Sequence, residues 1–439
     1  MSDRVNQIRT ALAAGPVPAG SLRASLDVTR PTLARALAEM PGEIVTLGSA
    51  RATRYALRDK FRGLPDMPVY RVNSAGQIQH LGQLIPVRSD GFVMVPNTGA
   101  TVYHEGLPWW VTDMRPQGFL GRAYARQCAT GLGLPPDVRH WSDTDALRAL
   151  LSNGGDAVGN LLLGDLARDR FVNSPLPTVV GASDYPRLAA EALTSGETWS
   201  SAGGEQPKFC AYTDRGHVLV KFTAQDDNPV TARWRDLLLA EHLALETLQA
   251  GGVSAAQSRV VDIGAQRFLE LERFDRVGPH GRHALLSLAS LDGEFVGNAT
   301  APWPVVTSEL NRQEIITAQA HAGAGLLYAF GTLIGNTDMH AGNLSFVSDS
   351  GRPYALSPVY DMLPMAFSPT TGGVIRNIVP TAHLQASVSG DNWRVARELG
   401  VQYLTRLRDE TRLSAAFQPC IDALRPHLDD ASQRIGRLG

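Results

Sequence analysis

Gly335-Asn336-Thr337-Asp338-Met339-His340-Ala341-Gly342-Asn343-Leu344-Ser345-Phe346 sets an aspartate, Asp338, and an asparagine, Asn343, in the D-x-x-x-x-N spacing of one short polar loop. Phosphoryl transfer uses those parts: an aspartate to accept or orient the proton of an attacking hydroxyl, and an asparagine further along to hold a magnesium ion against the phosphates. The next residues alternate as a strand from Leu344 to Val347, turn at Ser348-Asp349-Ser350-Gly351, and return through Tyr354 to Leu356. That is the pattern of a β-hairpin, and it delivers Tyr360-Asp361. The spacing alone also arises by chance, because Asp and Asn are ordinary turn and cap residues. The rest of the chain has to decide.

In a protein kinase a hairpin likewise separates the catalytic loop from the aspartate that grips magnesium, so Asp338, Asn343 and Asp361 form an ordered set. Ala318 to Leu333 is expected to be a buried helix leading into the loop. Further upstream, Ser200-Ser201-Ala202-Gly203-Gly204-Glu205-Gln206-Pro207-Lys208 is rich in small residues, which let backbone amides approach phosphate oxygens. It contains no Walker motif and no G-x-G-x-x-G fingerprint, and Gly203-Gly204 also fits a plain hairpin turn. His217 to Phe222 then reads as a strand carrying Lys221, where a kinase keeps the lysine that neutralises the α/β-phosphates; taken alone, Lys221 reads better as an edge lysine. Ala232 to Leu248 is an amphipathic helix in the place of the one that supplies that lysine's carboxylate partner, with Asp236 and Glu241 as the two candidates. Phe268 to Arg276 leaves a strand and fits either a hinge that meets adenine through its backbone or a polar-edged strand. Beyond Asn392 the chain reads as mainly helical.

At the other end, Val5, Ile8 and Leu12 recur at helical spacing, Ala19 to Leu26 forms a second helix, and Thr29 caps a third with Pro31 in its first turn. In that third helix Leu33, Ala34 and Leu37 should face inward and Arg30, Thr32 and Arg35 outward. Ile44 to Leu47, the loop Gly48 to Ala52, and Thr53 to Leu57 look like two strands and the tip of a wing. The unit resembles a winged helix-turn-helix domain, whose third helix enters the major groove while wing arginines such as Arg51 hold phosphates. Such units also serve as protein-docking modules. Phe61 to Pro68 reads as a linker, Val69 to Tyr103 as a small antiparallel sheet, Trp109 and Trp110 as core anchors, and the chain to about Arg168 as helical.

The chain has 439 residues, 44% of them hydrophobic and 19% charged, enough for two or three domains with real cores. No apolar run is long enough to span a bilayer and no hydrophobic signal core follows Asp3 and Arg4, so a cytoplasmic location without membrane contact is expected. Cys128, Cys210 and Cys420 lack any Cys-x-x-Cys pairing and suggest neither disulfides nor zinc. Residues 1–60 carry a balance of +4 against −6 for the remainder, which makes the N-terminal end the docking place for a polyanion.

Taken in order, Ser-Ser-Ala-Gly-Gly-Glu-Gln-Pro-Lys, Val-Lys-Phe, Leu-Glu-Arg-Phe-Asp-Arg, Gly-Asn-Thr-Asp-Met-His-Ala-Gly-Asn-Leu-Ser-Phe and Ser-Pro-Val-Tyr-Asp resemble the motifs of the HipA-type serine/threonine kinase toxins over roughly residues 65–400. The resemblance implies an α+β chain with residues 1–62 as a winged helix-turn-helix. A bilobed HipA-like kinase fold would follow, residues 63–275 as N-lobe and 276–439 as a mostly helical C-lobe. It implies ATP and Mg²⁺ as cofactors, with Asp338 catalytic and Asn343 and Asp361 holding the metal. Lys221 would meet the phosphates. Ala202, Gly203, Gly204, Glu205, Gln206 and Lys208 would line the nucleotide loop, and Glu272, Arg273 and Phe274 the hinge. His340 and Tyr360 match nucleotide-site positions, although a histidine that merely orders the loop is an equal reading. Family members phosphorylate a serine of their own glycine-rich loop, here Ser200 or Ser201. The implied partners are a protein substrate connected with translation, such as an aminoacyl-tRNA synthetase, and an antitoxin. Better-known members rely on a separate helix-turn-helix antitoxin, whereas this chain resembles longer, fused relatives and would meet DNA through Arg30, Thr32, Arg35 and Arg51. The alternative is a DNA-binding regulator whose kinase fold is inactive or only senses nucleotide.

Overall fold

The computed structural model describes residues 3–193 and 206–438 and forms two compact units. One comprises Met1–Asn73, Gln77–Pro116 and Gln127–Pro175, the other Ser74–Gly76, Gln117–Arg126 and Leu176–Gly439. Within the first unit, residues 1–60 share a core with the sheet that follows them.

Three helices, Asp3–Ala11, Ala19–Ser25 and Arg30–Ala38, pool Val5, Ile8, Leu12, Leu22, Leu33, Ala36 and Met40 in one cluster. The third helix differs from expectation: Ala36 is buried and Ala34 exposed. Residues three apart share a helix face and adjacent ones do not, so Leu33 brings Ala36 with it. Strand Arg54–Leu57 lies between Val17–Pro18 and Ile44–Leu47, antiparallel to both. Alternation gives this hairpin two apolar faces. Ile44, Tyr55 and Leu57 pack on the helices, while Val45, Leu47 and Ala56 join Ile85, Val87 and Val93 of the next sheet. The backbone continues the connection, with Asp59 N donating to Pro86 O at 2.9 Å and Arg88 N to Leu57 O at 2.8 Å.

That sheet runs Val102–His104, Gly91–Pro96, Ile78–Val87, Met67–Val72, Leu161–Leu163, antiparallel throughout. Gly82 has φ +152° and a Cβ there would lie 2.3 Å from Val95 O, so the closest pairing of the sheet admits glycine alone. Leu161–Leu163 falls where helix was expected. Three leucines between Gly159-Asn160 and Gly164 are too few for a helical turn to bury, yet they pair fully with Val69–Arg71. Trp110 packs half-buried on the cluster of Met67, Val69, Leu84 and Phe92, and Trp109 is also half-buried.

In the second unit, strands Ser258–Ile263, Gln266–Glu272, Gly216–Phe222 and Lys208–Thr213 form an antiparallel sheet in that order. The helix Pro229–Ala250 starts at Asn228, whose side chain accepts from Thr231 N, with proline in the first turn where no N–H is needed. Its leucines 237, 238, 239, 243, 245 and 248 are buried, so it is held by packing rather than by surface pairs. Helices Ala318–Ile334, Gly390–Asp409 and Gln418–Ile435 make up the rest of the helical core, and Leu285–Ser287, Ser345–Val347 and Ala355–Leu356 form a small sheet. The second and third of these strands are the expected hairpin, Phe346 opposite Leu356. Among the described residues no helix is long and apolar enough to cross a membrane.

Candidate functional site

Lys221 sits on an inner strand, with Leu269 opposite it on one side and Lys208 on the other, and only 4% of it is exposed. It is therefore not an edge lysine. Its ammonium donates to both carboxylate oxygens of Glu241, at 2.7 and 2.8 Å, and also to Asp361 Oδ1. The choice between Asp236 and Glu241 is decided by the helix face. Glu241 meets Lys221, while Asp236 accepts hydrogen bonds from the Ser414 N and Oγ at 2.9 and 2.5 Å.

Charge is balanced unevenly across this triad. Burial disfavours the Lys221 cation, but Asp361 and Glu241 outweigh it and push its pKa up. Burial dominates at Glu241 and raises its pKa despite Lys221. At Asp361 burial acts the same way, yet Lys221 and Lys208 overcome it and hold that carboxyl below the usual carboxylate range. Asp361 is thus the member whose charged form is favoured, with 28% of its side chain accessible. Its backbone has φ +51°, a left-handed conformation that costs a non-glycine residue on the order of 1 kcal/mol.

Asn336 holds that conformation. The helix Ala318–Ile334 stops at Gly335, left-handed at φ +79°, and the chain turns immediately into the loop. Buried Asn336 accepts from Asp338 N at 3.0 Å through Oδ1 and donates Nδ2 to Asp361 O at 3.3 Å. One side chain thereby fixes both aspartates. The sequence reading missed it, although an asparagine two residues before a functional position is the signature of an Asx turn. Asn343 Nδ2 donates to Asp338 O at 2.9 Å, which closes the loop and leaves the amide oxygen as the asparagine's metal-capable atom. Asp338 itself is exposed.

His340 orders the loop: its Nδ1 accepts from Gly342 N at 3.0 Å and its carbonyl from Trp303 Nε1 at 3.1 Å. Tyr360 OH donates to Gly342 O at 2.9 Å and shares a 2.7 Å hydrogen bond with Ser345 Oγ. Its ring lies 5.9 Å from that of Phe274, so the 272–274 segment and the loop meet at these two aromatics. The backbone N–H groups of Glu272 and Arg273 already serve Gln257 O and His217 O, at 2.8 and 2.9 Å. A base docked there would be met by other groups of the segment. Gln206 donates to Phe222 O and Lys208 pairs opposite Lys221, whereas Ser200, Ser201, Ala202, Gly203, Gly204 and Glu205 lie outside the described residues. In the first unit, Arg30, Arg35 and Arg51 are exposed, and Thr32 is half-buried with its hydroxyl 2.9 Å from that of Thr29.

The arrangement brings together a buried cation, an ionised carboxylate, an amide oxygen and an exposed aspartate on a rigid loop. Hard oxygen donors of this kind suit Mg²⁺ rather than a thiophilic metal.

Residues 64–172 match the family described as YjjJ-like toxin, middle domain, and residues 200–428 match the HipA-like C-terminal domain. The curated protein Toxin YjjJ of Escherichia coli (strain K12) is 37% identical over 445 residues, covering 99% of this chain and all of that protein (100%). Among solved structures, the Shewanella oneidensis MR-1 toxin–antitoxin complex of HipA, HipB and operator DNA aligns with TM-score 0.55 and 14% identity over 84% of this chain and 97% of that one. With whole-length identity to one toxin, a HipA-like domain over more than half its length and the fold of another, the chain belongs to the HipA-type toxin family.

Proposed function

We propose that the chain is an ATP-dependent serine/threonine protein kinase and the toxin of a toxin–antitoxin system. The observation that carries this reading is the Lys221–Glu241–Asp361 triad, tied through Asn336 to the loop that bears Asp338. Lys221 would neutralise the α/β-phosphates, and Asn343 and Asp361 would hold Mg²⁺, which when bound supplies charge neutralisation of the phosphates. Asp338 orients the acceptor hydroxyl and takes its proton, while Asn336 and Asn343 keep its backbone fixed. Phe274 and Tyr360 would flank the base, the glycine-rich loop from Ala202 to Lys208 would cover the phosphates, and Ser200 or Ser201 would be an internal acceptor. The substrate would be a protein connected with translation.

Incubation of wild-type and Asp338→Ala proteins with γ-labelled Mg·ATP tests the reading. Phosphoserine on wild type alone is expected, with some of it on Ser200 or Ser201. No label on either protein despite ATP binding would leave the nucleotide-sensing regulator.

A second role rests on residues 1–60. Their three helices and hairpin have the order of a winged helix-turn-helix, and Arg30, Arg35 and Arg51 are exposed. They would contact DNA, Arg30, Thr32 and Arg35 from the third helix and Arg51 from the wing. Arg35→Ala with Arg51→Ala should weaken duplex binding at least tenfold and make it less dependent on salt, as expected when two phosphate contacts are lost. Unchanged affinity would remove this role.

A further inference from the structure

The helix that supplies Glu241 also carries, two turns earlier, an arginine that the phosphate site does not use. Arg233 is 4% exposed. Its Nη1 donates to Phe367 O at 3.0 Å and Arg376 O at 3.2 Å, and its Nη2 to Asn377 Oδ1 at 2.8 Å and Ala416 O at 3.4 Å. The guanidinium lies 5.5 Å from the centroid of Phe417, whose ring packs edge-on against Phe367. Two of these anchors, at residues 376 and 377, lie on an irregular strap that follows Asp361; residues 371–374 and 376–378 are all exposed, with Ile378 at 71%, and Asn377 Oδ1 also accepts from Cys420 Sγ at 3.4 Å. The strap also touches the catalytic loop. Ala366 N donates to Gly335 O at 3.0 Å, and Val379 packs so closely that a Cβ on Gly335 would lie 3.0 Å from it. Asp338 follows three residues after that glycine.

The strap thus packs against the turn that leads into Asp338. We infer that Arg233 is a positioning residue for the phosphoacceptor: it acts through residues 366–379, which hold the acceptor protein segment beside Asp338. The inference rests on the kinase reading. An arginine suits the task because its planar fork satisfies several carbonyls at once, which the ammonium of a lysine does not reproduce.

The test compares full-length wild type with Arg233→Lys, Arg233→Met and Asn377→Ala, the last cutting the tether from the strap side. Brief trypsin digestion read by mass spectrometry follows cleavage after Arg376. Phosphotransfer from Mg·ATP to a degenerate serine-peptide library and hydrolysis of ATP by water are measured in parallel. Expected are cleavage after Arg376 at least tenfold faster in all three variants, a KM for peptide raised about tenfold, and ATP hydrolysis within twofold of wild type. A merely structural role would lower hydrolysis and peptide transfer together and speed cleavage throughout the chain. That result, or unchanged cleavage after Arg376 in Asn377→Ala and Arg233→Lys, overturns the inference. Absence of phosphotransfer by wild type with faster cleavage in the variants would refute the kinase reading and the acceptor role while the tether stands.

Discussion

Replacing Lys221 by methionine removes the ammonium that pairs with both Glu241, fully buried, and Asp361, 28% accessible, and leaves two carboxylates facing one another. Breaking a buried ion pair from one side costs about 3–5 kcal/mol, because the surviving charge has no partner. Glu241→Gln is milder. It loses two charge-assisted hydrogen bonds of 2.7 and 2.8 Å, but Asp361 still answers the ammonium and a costly buried carboxylate is gone. About 1–2 kcal/mol is expected for it. The double variant should then be more stable than Lys221→Met alone, with a coupling on the order of 1–3 kcal/mol. The pH dependence has a definite sign. Burial raises the Glu241 pKa even beside Lys221, so without the ammonium its contribution is present at low pH and lost as pH rises through the raised value. The deficit of Lys221→Met relative to wild type should therefore shrink between pH 7.5 and pH 5. Urea denaturation of the three variants at both pH values measures this. If Lys221→Met costs no more than Glu241→Gln, or its deficit grows at acid pH, the triad is not electrostatically coupled as described.

Three further outcomes follow from single contacts. Asn336→Ala cuts the bonds to Asp338 N and Asp361 O, so phosphotransfer should fall at least tenfold in kcat while ATP affinity, read by isothermal calorimetry, stays within twofold. Val45→Asp places a charge between the N-terminal hairpin and Ile85, Val87 and Val93, and should destabilise the first unit by about 3 kcal/mol or more, seen as a lowered urea midpoint. His427 is buried with Nε2 3.3 Å from Thr332 O, and burial holds its pKa below the usual value. The unfolded chain then takes up the proton at higher pH than the folded one, so stability should fall as pH drops from about 6.5 toward the depressed folded value. In His427→Gln that slope in the thermal midpoint should diminish.

The periodic elements were legible because each has one dominant pattern. The helix around Leu237 to Leu248, the hairpin after Asn343 and the three N-terminal helices all stand close to where apolar spacing put them. What escaped was set by tertiary pairing. Leu161–Leu163 is a strand only because Val69–Arg71 offers an edge. The same holds for the site. Asp338, Asn343 and Asp361 were visible as an ordered set, but whether Asp236 or Glu241 meets Lys221 depends on which side of the helix faces the sheet. Asp236 and Glu241 stand five residues apart, more than one turn and less than two, so they point in different directions.

That geometry gives the helix Pro229–Ala250 its place in the second unit. Arg233 and Glu241 are eight residues apart, about 2.2 turns, so they project within about 80° of one another, closer than Asp236 and Glu241 do. One binds the strap beyond Asp361 and the other the ammonium that touches Asp361, so the segment is held before and after the aspartate by a single rigid element. A shift of the helix along its axis would have to break both sets of hydrogen bonds at once. The two sets of hydrogen bonds are separate contacts of one element, so a lesion at Arg233 ought to be felt at the acceptor side and a lesion at Glu241 at Lys221.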